Sequence, residues 1–231
     1  MRRFLILSLL VVFSAGMFLC GCESGGVTSE VVRKDVKVGT GKVISASCIV
    51  TFYKSDGSRY LSEQQHLINP SAGGIEITAE EPGGKISCRL DGGFAKSGDA
   101  KVKGLAVSMC DRNLAQVIWA SVSAGCGFLS GEKGDEVSIE GRWYEPITPT
   151  GKSQWAKTTL YKNVSDEAIE MVQVVDAEKG KVLTARSYNY FWFEELGRRF
   201  PMKIDVFSSD KEGGSQKQIL EISYQLPIGW N

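Results

Sequence analysis

Six cysteines and a single histidine are the most reactive side chains in this chain of 231 residues. A thiol beside an imidazole is a minimal arrangement for covalent catalysis, the base drawing the proton from the nucleophile. His66 lies in a polar strand with no Ser or Cys motif around it, so it reads as an ordinary surface or hairpin histidine. Cys48, Cys88, Cys110 and Cys126 are separated by 40, 22 and 16 positions, without the close pairs of a zinc site. No metal and no cofactor is expected. Gly151-Lys152-Ser153 has the end of a phosphate loop, but the earlier glycine such a loop requires would fall at Pro146. Glu80-Glu81 and Glu194-Glu195 are adjacent carboxylates that a strand would point to opposite faces, which makes each a poor acid/base couple. Arg198-Arg199 reads as a solvated turn, with lipid headgroups or an acidic partner as the sharper alternative. These patterns contain no nucleophile–base arrangement, and the expectation is a protein that is not an enzyme.

The best-defined chemistry lies at the amino terminus. Arg2 and Arg3 precede sixteen mostly apolar residues, Phe4 to Leu19, a basic then apolar pattern that reads as an export signal. That run is short for a bilayer span, which needs about 20 residues. Leu19-Cys20-Gly21-Cys22 then resembles the lipobox of bacterial lipoproteins. The resemblance implies a diacylglycerol on the Cys22 thiol, cleavage after residue 21 and acylation of the new amino terminus. Cys20 is the poorer acceptor because the bond before it lacks a small residue. Glu23, where an Asp would favour the inner membrane, points to the outer one. The expected location is the cell envelope, lipid-anchored at the outer membrane and facing the periplasm. In that oxidising compartment Cys48, Cys88, Cys110 and Cys126 form an even set, compatible with two disulfides or with buried free thiols.

Removing residues 1–21 from 231 leaves 210, enough for one substantial core. Losing Arg2 and Arg3 takes the charge balance from 27 against 27 to 25 basic against 27 acidic. There is no basic excess to attract nucleic acid. Residues 22–42 are small, polar and aperiodic and read as a flexible tether before a domain at 43–231. At about 3.4 Å per residue, positions 23–41 would reach roughly 65 Å.

Alternation over Val43–Tyr53 places Ile44, Ala46, Cys48, Val50 and Phe52 on one face of a half-buried strand. Ser55-Asp56-Gly57 supplies a turn, with Arg59–Ile68 as the returning partner. Further strands are expected at 74–79, 85–90, 136–144, 155–162, 168–176, 181–193, 202–208 and 218–226. Between Ser108 and Ala124 the spacing becomes helical and predicts one amphipathic helix. Ser108 and Asp111 would form its capping box, and Gly125 the left-handed residue beyond its last turn. A Pro- and Thr-containing joint is expected at 146–153. In Tyr188–Phe193 apolar side chains occur on both faces, which requires cover on both sides or a ligand-facing surface. Tyr190 and Trp192 are the candidates to line such a site.

Two stretches carry a further resemblance. One runs through Ile68-Asn69-Pro70, Gly74-Ile75-Glu76-Ile77, Glu81-Pro82 and Arg89-Leu90-Asp91-Gly92-Gly93. The other runs through Val174-Val175-Asp176, Gly180-Lys181-Val182-Leu183 and Arg199-Phe200-Pro201-Met202-Lys203-Ile204-Asp205-Val206. In that order they resemble the LolA/LolB-like proteins of outer-membrane lipoprotein sorting. The resemblance implies a mainly β (α+β) fold: a curved antiparallel half-barrel sheet with one or more helices on its concave face. It also implies an apolar cavity for lipid or for lipoprotein acyl chains. The basic residue that carrier-type members show just after the Pro-led turn is not evident here, where Glu76 occupies that neighbourhood, so no transfer residues carry over. The alternative is a structural or regulatory lipoprotein that binds another protein through its sheet. Lipid anchoring has a direct check: intact mass of the protein from its own membranes should correspond to a chain beginning at Cys22 plus acyl groups, and Cys22→Ala should abolish detergent-phase partitioning.

Overall fold

The computed structural model describes residues 42–71, 73–81, 84–91, 94–97, 111–150, 157–176 and 179–231, with side chains placed except in 80–97. All lie in one compact unit, Lys37–Asn231. Residues 1–41, and with them Cys22, fall outside the described residues, as do Cys110, the Cys88 side chain and positions 151–156.

Five strands precede the helix: β1 (Ile44–Tyr53), β2 (Arg59–Asn69), β3 (Gly74–Glu81), β4 (Gly84–Asp91) and β5 (Phe94–Ser97). Helix α1 spans Arg112–Gly125. Eight strands follow: β6 (Gly131–Lys133), β7 (Val137–Ile139), β8 (Arg142–Pro149), β9 (Lys157–Asn163), β10 (Ile169–Val175), β11 (Val182–Phe193), β12 (Arg198–Ser209) and β13 (Lys217–Trp230). They form one 13-stranded sheet in the order β5-β4-β3-β2-β1-β13-β12-β11-β10-β9-β8-β6, with β7 also on β8. The pairings along it are antiparallel, and β13 closes the chain on itself by pairing with β1. The two ends of the sheet do not meet, so it is curved but unclosed.

The helix shows how strong the curvature is. It packs mainly on β10, β11 and β12 and also touches β3 and β4. Six strand spacings separate β3 from β10, roughly 29 Å if flat. Fourteen helical residues are only about 21 Å long. The sheet therefore wraps the helix, and every residue from Leu114 to Ala124 is buried. This differs from an amphipathic helix with one wet face. Ala115, Ala120 and Ala124 keep its girth small, and polar Gln116, Ser121 and Ser123 go in with the rest. The cap is Asp111, whose carboxylate accepts from the amides of Asn113 (2.9 Å) and Leu114 (3.1 Å), while Ser108 lies outside the described residues. At the other end the left-handed residue is Gly127, φ 73°, beyond Gly125, where it was expected.

Two other expectations shift. The strand 136–144 is broken by a tight hairpin at Glu140-Gly141, both at positive φ (53° and 80°). Glu is not a usual residue there; a double hydrogen bond from the Arg186 guanidinium, 2.6 Å on each arm, holds its carboxylate. The joint at 146–153 is in its first half the end of β8. Pro146 has no N–H to give, and it falls where the neighbouring edge is interrupted between β7 and β6. Inner-face rows cross the sheet as Phe52–Leu220–Val206–Ala185–Val172–Leu160, matched pair by pair in register. Phe200, fully buried, stands edge-on to Phe193 and Tyr224. Phe200→Ala should cost about 3–5 kcal/mol in chemical denaturation, whereas Leu61→Ala, at a 67% exposed position, should stay within about 0.5 kcal/mol.

Candidate functional site

The inner face of β1 and β2 carries the densest buried chemistry among the described residues. Ile44, Ala46, Cys48, Val50 and Phe52 of β1 are all buried, as the alternation demands. Antiparallel pairing sets Ile68 against Ile44, His66 against Ala46, Gln64 against Cys48 and Ser62 against Val50. These β2 residues therefore point inward. His66 is completely buried, a correction to the surface or hairpin reading. The signal was present: Ser62, Gln64 and His66 share the parity of Ile68, and only the apolar strand opposite reveals which face that is.

The inward polar groups satisfy one another. His66 Nε2 lies 3.1 Å from Gln64 Oε1, and the Gln64 amide donates to Ser62 Oγ at 3.1 Å. Because Gln64 Oε1 can only accept, Nε2 carries the proton in this assignment and Nδ1 accepts from the Tyr224 hydroxyl at 3.0 Å. Cys48 Sγ is 3.4 Å from the same Nε2. This is a Cys–His juxtaposition, but its electrostatics oppose catalysis. Burial pushes the His66 pKa down to about 3 and the Cys48 thiol well up. An activated pair needs the reverse, a thiolate beside an imidazolium. Tyr224, edge-on to His66 at 5.6 Å, is raised by burial as well. The cluster is thus neutral, buried and hydrogen-bonded.

Of the four cysteines expected to pair or to pack as buried thiols, Cys48 and Cys126 have side chains among those described. Cys48 and Cys126 are both free and buried, and burial pushes the Cys126 thiol up to about 12. Both therefore pack as small hydrophobes. The two aromatic candidates have different surroundings. The Tyr190 hydroxyl donates to the Ile169 carbonyl at 2.7 Å and fastens β11 to the start of β10. Trp192 is 56% exposed. Phe193 on the opposite face is buried against Phe200. Glu76 is buried in β3, in register with Arg89 of β4.

On the helix side, Gln116 Nε2 donates to Thr158 Oγ1 at 2.8 Å and Trp119 Nε1 to the Asn69 carbonyl at 3.1 Å. Thr158 is in β9 and Asn69 at the end of β2, so α1 is hydrogen-bonded to both arms of the sheet. Its two aromatic and amide anchors fix how the helix lies across the inner face.

The fold has known counterparts. The chain is similar to a LolA superfamily protein from Nitrosomonas europaea, with a TM-score of 0.51 and 15% identity over 82% of this chain and 86% of that one. It is also similar to an outer membrane lipoprotein-sorting protein domain from Vibrio parahaemolyticus (TM-score 0.44, 12% identity, 84% and 86% covered). A DUF1329 family protein from Desulfovibrio piger gives TM-score 0.44, 9% identity, and 84% and 88% covered. No protein-family model and no curated protein matches the chain. The fold is LolA/LolB-like, as the sequence resemblance implied.

The buried histidine makes a pH prediction. Its folded pKa, about 3, lies below the ordinary value of 6.5, so the unfolded chain binds the extra proton. Its stabilising contribution is complete above pH 6.5 and is lost progressively as pH falls toward 3. The slope reaches at most about 1.4 kcal/mol per pH unit. Since the chain has one histidine, urea unfolding between pH 6.5 and 5 should show this loss in the native protein, and His66→Gln should flatten it.

Proposed function

We propose that this protein is a lipid-anchored envelope lipoprotein that binds an apolar ligand within its half-barrel, without catalysing a reaction. The ligand class is lipid or the acyl chains of lipoproteins. The observation that carries the reading is a wrapped sheet whose inner positions are apolar on both sides of one helix: Ile44, Val50, Ile75 and Ile77 on one arm, Val172 and Val206 on the other. Such a surface recognises methylene chains by area and not by directed bonds. An acyl chain of about 16 carbons contributes on the order of 10 kcal/mol at about 0.8 kcal/mol per buried CH₂, before the costs of binding. The neutral His66–Gln64–Ser62–Tyr224 group adds no charge that an apolar chain would have to desolvate.

Support also comes from the Nitrosomonas europaea protein of the same fold and from the lipobox-like Leu19–Cys22. The anchor places the domain in the periplasm, at the outer membrane. Its partners in this reading are the membrane itself and the lipid or lipoprotein it holds.

The test is native mass spectrometry of the protein released gently from its own envelope, with a fluorescent fatty-acid titration alongside. Co-purified lipid and saturable uptake are expected. A ligand-free protein that takes up no fatty acid would overturn the reading.

A further inference from the structure

The chain enters the sheet at one rim, and that rim has an unusual surface. Val43 and Asn231 exchange backbone hydrogen bonds of 2.6 and 3.0 Å, and Ile44 pairs with Trp230, so both ends of the domain lie together. Lys42 Nζ sits 5.8 Å from the Trp230 ring, and Trp230 lies 5.6 Å from Phe128. Next to Phe128, a Cβ added at Gly127 would lie 3.0 Å from Arg198 Nε. Arg198 pairs with Phe193 where β11 turns into β12. An unbroken run of contacts thus joins the entry point of the chain to the β11–β12 hairpin.

That hairpin and the adjoining bulge of β13 expose apolar side chains. Trp192 and Leu226 are each 56% exposed and Phe191 is 37% exposed. The charges at the tip offset one another, Glu194 and Glu195 against Arg198 and Arg199. A strongly basic patch would suit an acidic partner; this surface keeps only the single excess charge of Lys42, with indole and phenyl rings beside arginines. Aromatic rings of that kind prefer the water–hydrocarbon boundary of a bilayer, with arginines reaching to the headgroups.

We propose that this rim, Phe191, Trp192, Leu226 and Trp230 with Arg198 and Arg199, docks on the membrane surface that holds the anchor. The inference rests on the anchoring reading. Residues 22–41 link the acylated cysteine to this same rim, so docking is intramolecular and a weak contact suffices. The occupant is the lipid surface, not a second copy or a protein partner. Its consequence is orientation: the β1–β2 turn at Asp56-Gly57, at the opposite end of β1, faces away from the bilayer.

The experiment uses the full lipidated protein reconstituted into phosphatidylcholine vesicles with and without brominated acyl chains. Tryptophan emission should be quenched by the brominated lipid. Trp192 and Trp230 are the rim indoles, so Trp192→Phe should cause roughly a twofold loss of the lipid-sensitive emission while docking persists. The Phe191→Ser/Trp192→Ser pair, at exposed positions, should abolish it, including the Trp230 part, with the thermal midpoint unchanged. Protein that floats with the vesicles yet shows no quenching in any form would overturn docking and leave the anchor standing. Crosslinked dimers on the vesicles without quenching would overturn it in favour of a second copy. Failure of unmutated protein to float at all would overturn the anchoring reading, and docking with it.

Discussion

Burial of one short helix inside a bent sheet is the interaction on which the rest of this structure depends. A helix on a flat sheet hides one stripe and keeps the other wet. Here the arms around β3 and β10 both reach α1, and its residues from Leu114 to Ala124 all leave solvent. The constraint runs in both directions. The helix can be enclosed because Ala115, Ala120 and Ala124 keep it narrow, and the inner face of the sheet is covered where the helix lies on it. The hydrogen bonds from Gln116 to Thr158 and from Trp119 to the Asn69 carbonyl turn that packing into a fixed orientation.

The same demand explains the polar group on β2. Ser62, Gln64 and His66 occupy inward positions where apolar residues would be simpler. They are tolerated because each has a partner within the group: Gln64 bridges Ser62 and His66, and Tyr224 from β13 takes the second imidazole nitrogen. In a low-dielectric interior an unsatisfied member would be costly, whereas a satisfied network specifies one register. Since β13 comes from the far end of the chain, this network also links the two arms where β1 and β13 join them. Charge is avoided throughout it, which keeps the surrounding inner face suited to apolar company.

Much of the fold was legible before the structure. Alternation located β1, β2, β3, β4 and most of the later strands, and the change to helical spacing located α1. The misses have local causes. The Glu140-Gly141 hairpin lacked the Asn-Gly or Asp-Gly that usually marks such a turn, and its glutamate is held in place by Arg186, a residue of a distant strand. Pro146 looked like a joint because a proline breaks a strand in isolation; its place in the sheet, opposite a gap in the neighbouring edge, makes it harmless. The helix is capped by Asp111, whose carboxylate accepts from the amides of Asn113 and Leu114, three residues beyond the expected cap position. At the site, His66 looked solvated because its neighbours in sequence are polar.

Sequence alone determined the periodicities, the helix position, the β-rich class and the lipobox-like cysteine, since each is written in residues a few positions apart. Tertiary structure decided which face of β2 is inside, that Cys48 and Cys126 are free thiols, that Tyr190 fastens two strands while Trp192 is exposed, and that the chain enters beside the exposed aromatic rim. Those outcomes depend on pairings between residues far apart in the chain, such as His66 with Tyr224 and Ile44 with Trp230. Local periodicity has a period of two or of 3.6 residues; it can give two faces to a strand, but only the partner across the sheet says which of them meets water.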